Sequence, residues 1–144
     1  MQVNEVMTRC VECVRPNDII AAAAQRMKDL DVGALPVCGD DGRLVGMITD
    51  RDITTRATAG CCDPGGTRIR DVRTPGVVYV FEDQDVTEAA RLMKENQVRR
   101  LVVLNRDKRL VGIVSLGDLA VETGDEKLAG QTLEQVSEPN QPKR

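Results

Sequence analysis

The chain has 144 residues, a net charge of −3 and 41% hydrophobic residues, but only two aromatic ones, Tyr79 and Phe81, and no histidine. Mixed charge without a basic surplus argues against non-specific nucleic-acid binding, and the near-absence of aromatics against a base-stacking surface. Without histidine the commonest general base and metal ligand is missing, so a Ser-His-Asp or Cys-His catalytic site is excluded. No apolar run approaches the length of a membrane span. The start, MQVNEVMTRC, shows no basic stretch leading into an apolar core, so the expectation is a cytoplasmic protein.

In chain order, Val11–Val14 reads as an opening strand and Asp18 as a helix N-cap. Ile19/Ile20, Ala23/Ala24, Met27 and Leu30 then recur at helical spacing and predict one apolar stripe. Leu35–Cys38 and Leu44–Thr49 predict a strand pair around the turn Gly39–Gly42, with a helix beginning near Asp52. Residues 59–68 form a linker in which Pro64-Gly65-Gly66 excludes regular structure. The same order then returns. Val77–Phe81 is a strand, Val86, Ala89/Ala90 and Met93 mark a helix, Leu101–Leu104 and Leu110–Ser115 a strand pair, and a helix starts near Asp118. The tail predicts a short helix in Leu128–Val136, with Pro139–Arg144 fraying.

This return is a sequence repeat. Val6–Ile53 aligns with Val72–Leu119 at an offset of 66 without a gap, and 17 of the 48 positions are identical. Right-handed crossover makes the first strand of each β-α-β-β-α unit parallel to the second. The expected organisation is therefore α/β: a first repeat over 1–58, a linker over 59–68, a second repeat over 69–122 and a tail over 123–144. Each repeat alone is marginal in size, so two interdependent lobes about a pseudo-two-fold axis are expected, with a ligand cleft at their seam.

Each strand pair ends in the same pattern, a glycine, two apolar residues, Thr or Ser, two residues, then Asp. It occurs as Gly46–Asp52 and as Gly112–Asp118. One reading is purely structural, because S/T-x-x-D resembles a capping box. The other is a mononucleotide grip. A helix start with a hydroxyl donor suits phosphate, and an Asp one turn in can accept from two ribose hydroxyls. Arg99-Arg100 stands where the first repeat has Gly33-Ala34. The plain reading of that pair is an exposed, solvated edge.

The repeat, the ALPVC and RLVVL strands and the LVGMITDRDI and LVGIVSLGDL stretches resemble a pair of CBS domains, or Bateman module, over residues 1–120. Val32–Asp41 is similar to small stand-alone actinobacterial members. The resemblance implies a regulatory module, not an enzyme, with AMP, ADP, ATP or S-adenosylmethionine as ligand and no obligatory cofactor. It implies that Asp52 and Asp118 hold ribose, that Thr49 and Ser115 contact phosphate, and that Val11, Val77, Pro36 and Val102 line the adenine. It also implies that Arg99 and Arg100, with Arg51 nearby, serve the site built on Asp52, so that a phosphorylated ligand prefers that site. The partners implied are a second copy in a homodimer and an unidentified target protein, with neither nucleic acid nor membrane.

Five cysteines leave a further option. Cys13 and Cys38 fall on strands expected to be neighbours, about 4.8 Å apart, near the separation a disulfide needs. Such a bridge is worth about 3 kcal/mol in the chain-entropy model; the alternative is two buried thiols. Cys10-x-x-Cys13 with Cys61-Cys62 has four thiolates for zinc but no supporting knuckle turns, so no metal site is assigned. The competing functional reading is a stress-response protein, tied to hypoxia or redox state, with a vestigial nucleotide cleft and a Cys13–Cys38 bridge.

Overall fold

The structure, a computed structural model, describes residues 1–9, 12–74 and 76–139. In chain order its elements are β1 (Thr8–Arg9), α1 (Ile20–Leu30), β2 (Ala34–Cys38), β3 (Leu44–Thr49), α2 (Asp50–Asp52, running into a π-helical stretch Ile53–Thr58), α3 (Ile69–Val72), β4 (Tyr79–Phe81), α4 (Val86–Asn96), β5 (Arg100–Leu104), β6 (Leu110–Ser115), α5 (Leu116–Thr123) and α6 (Glu126–Ser137). They form two compact units. One is continuous, Val11–Val77; the other is split, Met1–Cys10 with Val78–Arg144. The opening residues of each repeat thus pack with the strand pair of the other.

In the continuous unit β2 and β3 pair antiparallel, Ala34 opposite Thr49 and Val37 opposite Gly46. Ile20, Ala23 and Met27 of α1 lie three and four residues apart and are buried. They join Val14, Leu35, Val37, Ile48, Ala57, Ile69 and Val72 in one core, each large side chain contributing about 1.5–3 kcal/mol of burial. Residues after the linker return to this unit. The Ile69 amide donates to the Asp18 carbonyl, and Met47 and Thr74 exchange backbone hydrogen bonds.

The split unit carries a four-stranded sheet in the order β1-β6-β5-β4. β4 runs parallel to β5, Tyr79 opposite Val102. β5 and β6 are antiparallel, Arg100 opposite Ser115, and β1 joins the β6 edge, Thr8 opposite Ile113. Val3 and Val6 enter a core with Val80, Ala89, Ala90, Met93, Leu101, Val103, Val114 and Leu119. α6 packs on α4 and α5.

Some local expectations need correction. Asp18 does not cap α1: the N-cap is Ile19, without a side-chain bond, and the Asp18 carboxylate accepts from the Arg15 amide in the preceding turn. Ile19 aligns with Asp85, which does cap α4 by accepting from the Thr87 amide at 3.0 Å. The repeat therefore conserves the helix but not its cap. The first opening strand reduces to a parallel bridge from Val14 to Val37, Val11 lying outside the described residues. The second begins at Tyr79, two residues after Val77. The helices after the strand pairs begin at Asp50 and Leu116, because Thr49 and Ser115 are the N-caps. The tail helix is longer than expected, Glu126–Ser137.

Candidate functional site

The glycine that opens each motif is dictated by packing. A Cβ on Gly46 would lie 2.8 Å from the Thr74 carbonyl oxygen, and one on Gly112 would lie 2.6 Å from that of Thr8. Only glycine lets the neighbouring backbone approach so closely. The strand then delivers Thr49 and Ser115 to a helix start. The Thr49 hydroxyl accepts from the Asp52 amide at 3.0 Å, and the Thr49 amide donates to Asp52 Oδ2 at 3.0 Å. Ser115 and Asp118 repeat this at 3.0 and 2.8 Å. Both motifs are thus complete capping boxes. The box uses each hydroxyl only as an acceptor, and no acceptor for its proton is found among the described residues. Each hydroxyl is therefore free to donate to an anion.

The two carboxylates differ. Asp52 is 6% exposed. Both its oxygens accept from the Thr74 hydroxyl at 3.1 Å, and the Arg56 guanidinium stands 3.8 Å away. Asp118 is half-buried, and the box supplies its only hydrogen bonds among the described residues. Arg56, one turn beyond Asp52, is replaced by Glu122 one turn beyond Asp118. Thr74 and Arg56 are the partners of Asp52 that motif reading misses. The visible signals are the repeat identity of Thr74 with Thr8 and the i,i+4 charge pairing of Arg56 with Asp52.

Of the remaining candidates, Arg51 is exposed on α2, with its amide bound to Asp50 Oδ1 at 2.8 Å. Pro36 and Val102 are buried in β2 and β5, and Val77 is half-buried before β4. Arg99 and Arg100 are exposed at the start of β5. With Ser115 they line a cavity of about 530 Å³ in the split unit, a size common for small-molecule sites.

Cys13, Cys38, Cys61 and Cys62 are free thiols. Burial, followed by a hydrogen bond with Cys13, pushes the Cys38 thiol up to about 12. Cys10, the other half of the C-x-x-C pair, lies outside the described residues, among which no group of three or more potential metal ligands gathers. No described helix is long and apolar enough to cross a membrane.

Residues 3–58 and 69–123 each match the family model of the CBS domain. The chain belongs to the CBS-domain family. Hypoxic response protein 1 of Mycobacterium tuberculosis is 41% identical over 116 residues, 81% of this chain and 80% of that protein. A crystal structure of Hypoxic Response Protein I with two coordinated zinc ions matches with a TM-score of 0.76 and 40% identity, over 83% of this chain and 97% of that one. CBSX2 in complex with AMP matches with a TM-score of 0.73 and 27% identity, over 88% and 98%. The CBS pair of MJ0100, in complex with 5-methylthioadenosine and S-adenosyl-L-methionine, matches with a TM-score of 0.76 and 27% identity, over 86% and 96%. The fold expected from the repeat, two β-α-β-β-α CBS repeats in an α/β chain, is the one these structures share.

Proposed function

We propose that this chain is a regulatory module that binds adenosine-containing ligands, AMP, ADP or ATP among them, and acts in trans on a partner protein as a homodimer. The observation that carries the reading is the doubled helix start. In each unit a hydroxyl with an undirected proton and a carboxylate one turn away sit on a rigid box. That pair can take a phosphate oxygen and a ribose diol. In this reading Asp52 and Asp118 accept from ribose hydroxyls, Thr49 or Ser115 donates to phosphate, and Arg51, Arg99 and Arg100 supply positive charge. Pro36, Val77 and Val102 form the apolar background for the adenine. AMP in CBSX2 and S-adenosyl-L-methionine in MJ0100 support the ligand class.

Calorimetric titration of the reduced protein with AMP, then ATP, tests this. Saturable binding lost in the Asp52→Ala/Asp118→Ala double variant is the expected result. Absence of heat with AMP, ATP and S-adenosylmethionine sinks it.

The juxtaposed Cys13 and Cys38 thiols favour a second reading, a redox-responsive stress protein whose nucleotide cleft is vestigial. There the two thiols yield two protons and two electrons to an external oxidant and close a disulfide. Absence of a Cys13–Cys38 linkage, read by peptide mapping after the folded protein is treated with oxidised glutathione, would exclude it.

A further inference from the structure

The backbone at the two helix starts is the same, and the side chains around it are opposed. The Asp50 amide donates to the Gly33 carbonyl at 2.9 Å, as the Leu116 amide does to the Arg99 carbonyl at 2.8 Å. In the continuous unit the chain's own carboxylate fills the space in front of this turn. Asp50 Oδ1 accepts from the Arg51 amide at 2.8 Å. A Cβ built on Gly33 would lie 2.9 Å from Asp50 Oδ2, so the missing side chain at Gly33 is what makes room for that carboxylate. In the split unit the corresponding residues are Leu116, which brings no charge, and Arg99. Here the space is an open cavity of about 530 Å³, with Arg99, Arg100 and Ser115 on one side and α6, at Gly130 and Leu133, on another. No carboxylate pairs with either arginine among the described residues. Among the described residues the Arg99 side chain reaches only the Ser137 hydroxyl, at 3.4 Å.

We propose that Asp50 bars phosphate from the helix start of the continuous unit, so that of the two nucleotide sites proposed above only the one in the split unit, at the cavity walled by α6, takes a phosphorylated ligand. The chain then takes one phosphorylated ligand, with Arg99 and Arg100 as its cations. This reverses the preference for Asp52 that the arginine pair suggests from sequence. A phosphate brought to the continuous unit meets a like charge at Asp50. A ribose diol brought there must also displace the Thr74 hydroxyl from Asp52. Asp118 carries neither obstacle. For the nature of the ligand the inference rests on the nucleotide reading above; for the anion it rests on the cavity.

The test is an amide-resolved NMR titration of the full chain with inorganic pyrophosphate, AMP and adenosine. Pyrophosphate and AMP should shift the Gly117 amide, in the turn beside the cavity, and leave the Arg51 amide unmoved. Arg99→Gly/Arg100→Ala places the first repeat's residues in the second. It should weaken both anions about tenfold or more, the size of one lost charge-assisted hydrogen bond, and leave adenosine binding unchanged. Leu116→Asp should remove anion binding; if that variant misfolds, the arginine variant decides alone. Equal shifts at Arg51 and Gly117, or anion binding indifferent to the arginine variant, overturn the proposal. Pyrophosphate binding at Gly117 without any AMP or adenosine binding would uphold the anion site and sink the adenosine reading. AMP binding insensitive to Arg99 and Arg100 would do the reverse, and no binding of any probe would remove both.

Discussion

Helices α1 and α4 come from aligned stretches of the repeat, share the Ala-Ala and Met-Lys pairs, and end alike in a left-handed residue, Asp31 and Gln97. Yet Ala90 is fully buried and its twin Ala24 is exposed. Leu30, at the end of the α1 stripe, is 44% exposed. The difference comes from elsewhere in the chain. α6 packs on α4, and at the same offset of 66 the first repeat has residues 60–71, most of them in the linker broken by Pro64-Gly65-Gly66. A repeat can therefore copy an amphipathic helix faithfully while only one copy has something to bury it.

The sharpest way to break that comparison is to place a charge on both twins. Ala90→Asp puts an unpaired carboxylate in the core of the split unit and should cost about 3 kcal/mol or more. Ala24→Asp meets water and should cost under about 1 kcal/mol, a matter of helix propensity. Urea denaturation of the two variants measures the gap. Equal losses would mean that α6 does not cover α4 in solution.

The motif carboxylates give the next largest contrast. Asp52→Ala removes the capping box together with the Thr74 hydrogen bonds and the Arg56 ion pair, leaving the half-buried Thr74 hydroxyl without its acceptor. A loss of about 2–3 kcal/mol is expected. Asp118→Ala removes the box alone, at about 1 kcal/mol. The same urea titrations report it, and reversal of that order would show that the Thr74 contact contributes nothing. The comparison bears on ligand binding too, because a carboxylate already engaged by the chain has less to offer a ribose.

Period and repeat made most of this architecture legible. Strand pairs, their turns and both principal helices follow from apolar spacing, and the doubled motif located both helix starts. The capping boxes were readable because Thr49 and Ser115 stand three residues before an Asp. What escaped reading depends on distant segments. Asp18 looked like a cap because it precedes an apolar stripe, but the chain enters α1 one residue later. Thr74 reaches Asp52 only because the residues after the linker return to the first strand pair, a pairing of partners 22 residues apart. The role of Asp50 was hidden because a carboxylate at a helix start normally reads as favourable capping; only its position beside Gly33 shows what it displaces. Arg99-Arg100 was visible as charge, but the cavity it lines is completed by α6, beyond the repeat.

The smallest effect separates the helix ends themselves. Asp31 and Gln97 both sit at positive φ, 55° and 52°, where a Cβ is strained and glycine is not. Asp31 makes no side-chain hydrogen bond among the described residues, so Asp31→Gly should relieve the strain and raise stability by about 0.5 kcal/mol, net of the added freedom of the unfolded chain. Gln97 is different. Its amide donates to the carbonyls of Gln135 and Glu138 at the end of α6, at 3.3 and 3.0 Å. Gln97→Gly gains the same relief but gives up two hydrogen bonds worth about 0.5–1.5 kcal/mol each, so it should destabilise. Opposite signs for the two substitutions in thermal melts would show that α6 is tied to the end of α4 as well as packed on its side. Stabilisation by both would leave packing as the sole link, and the exposure of Ala24 against Ala90 as its only signature.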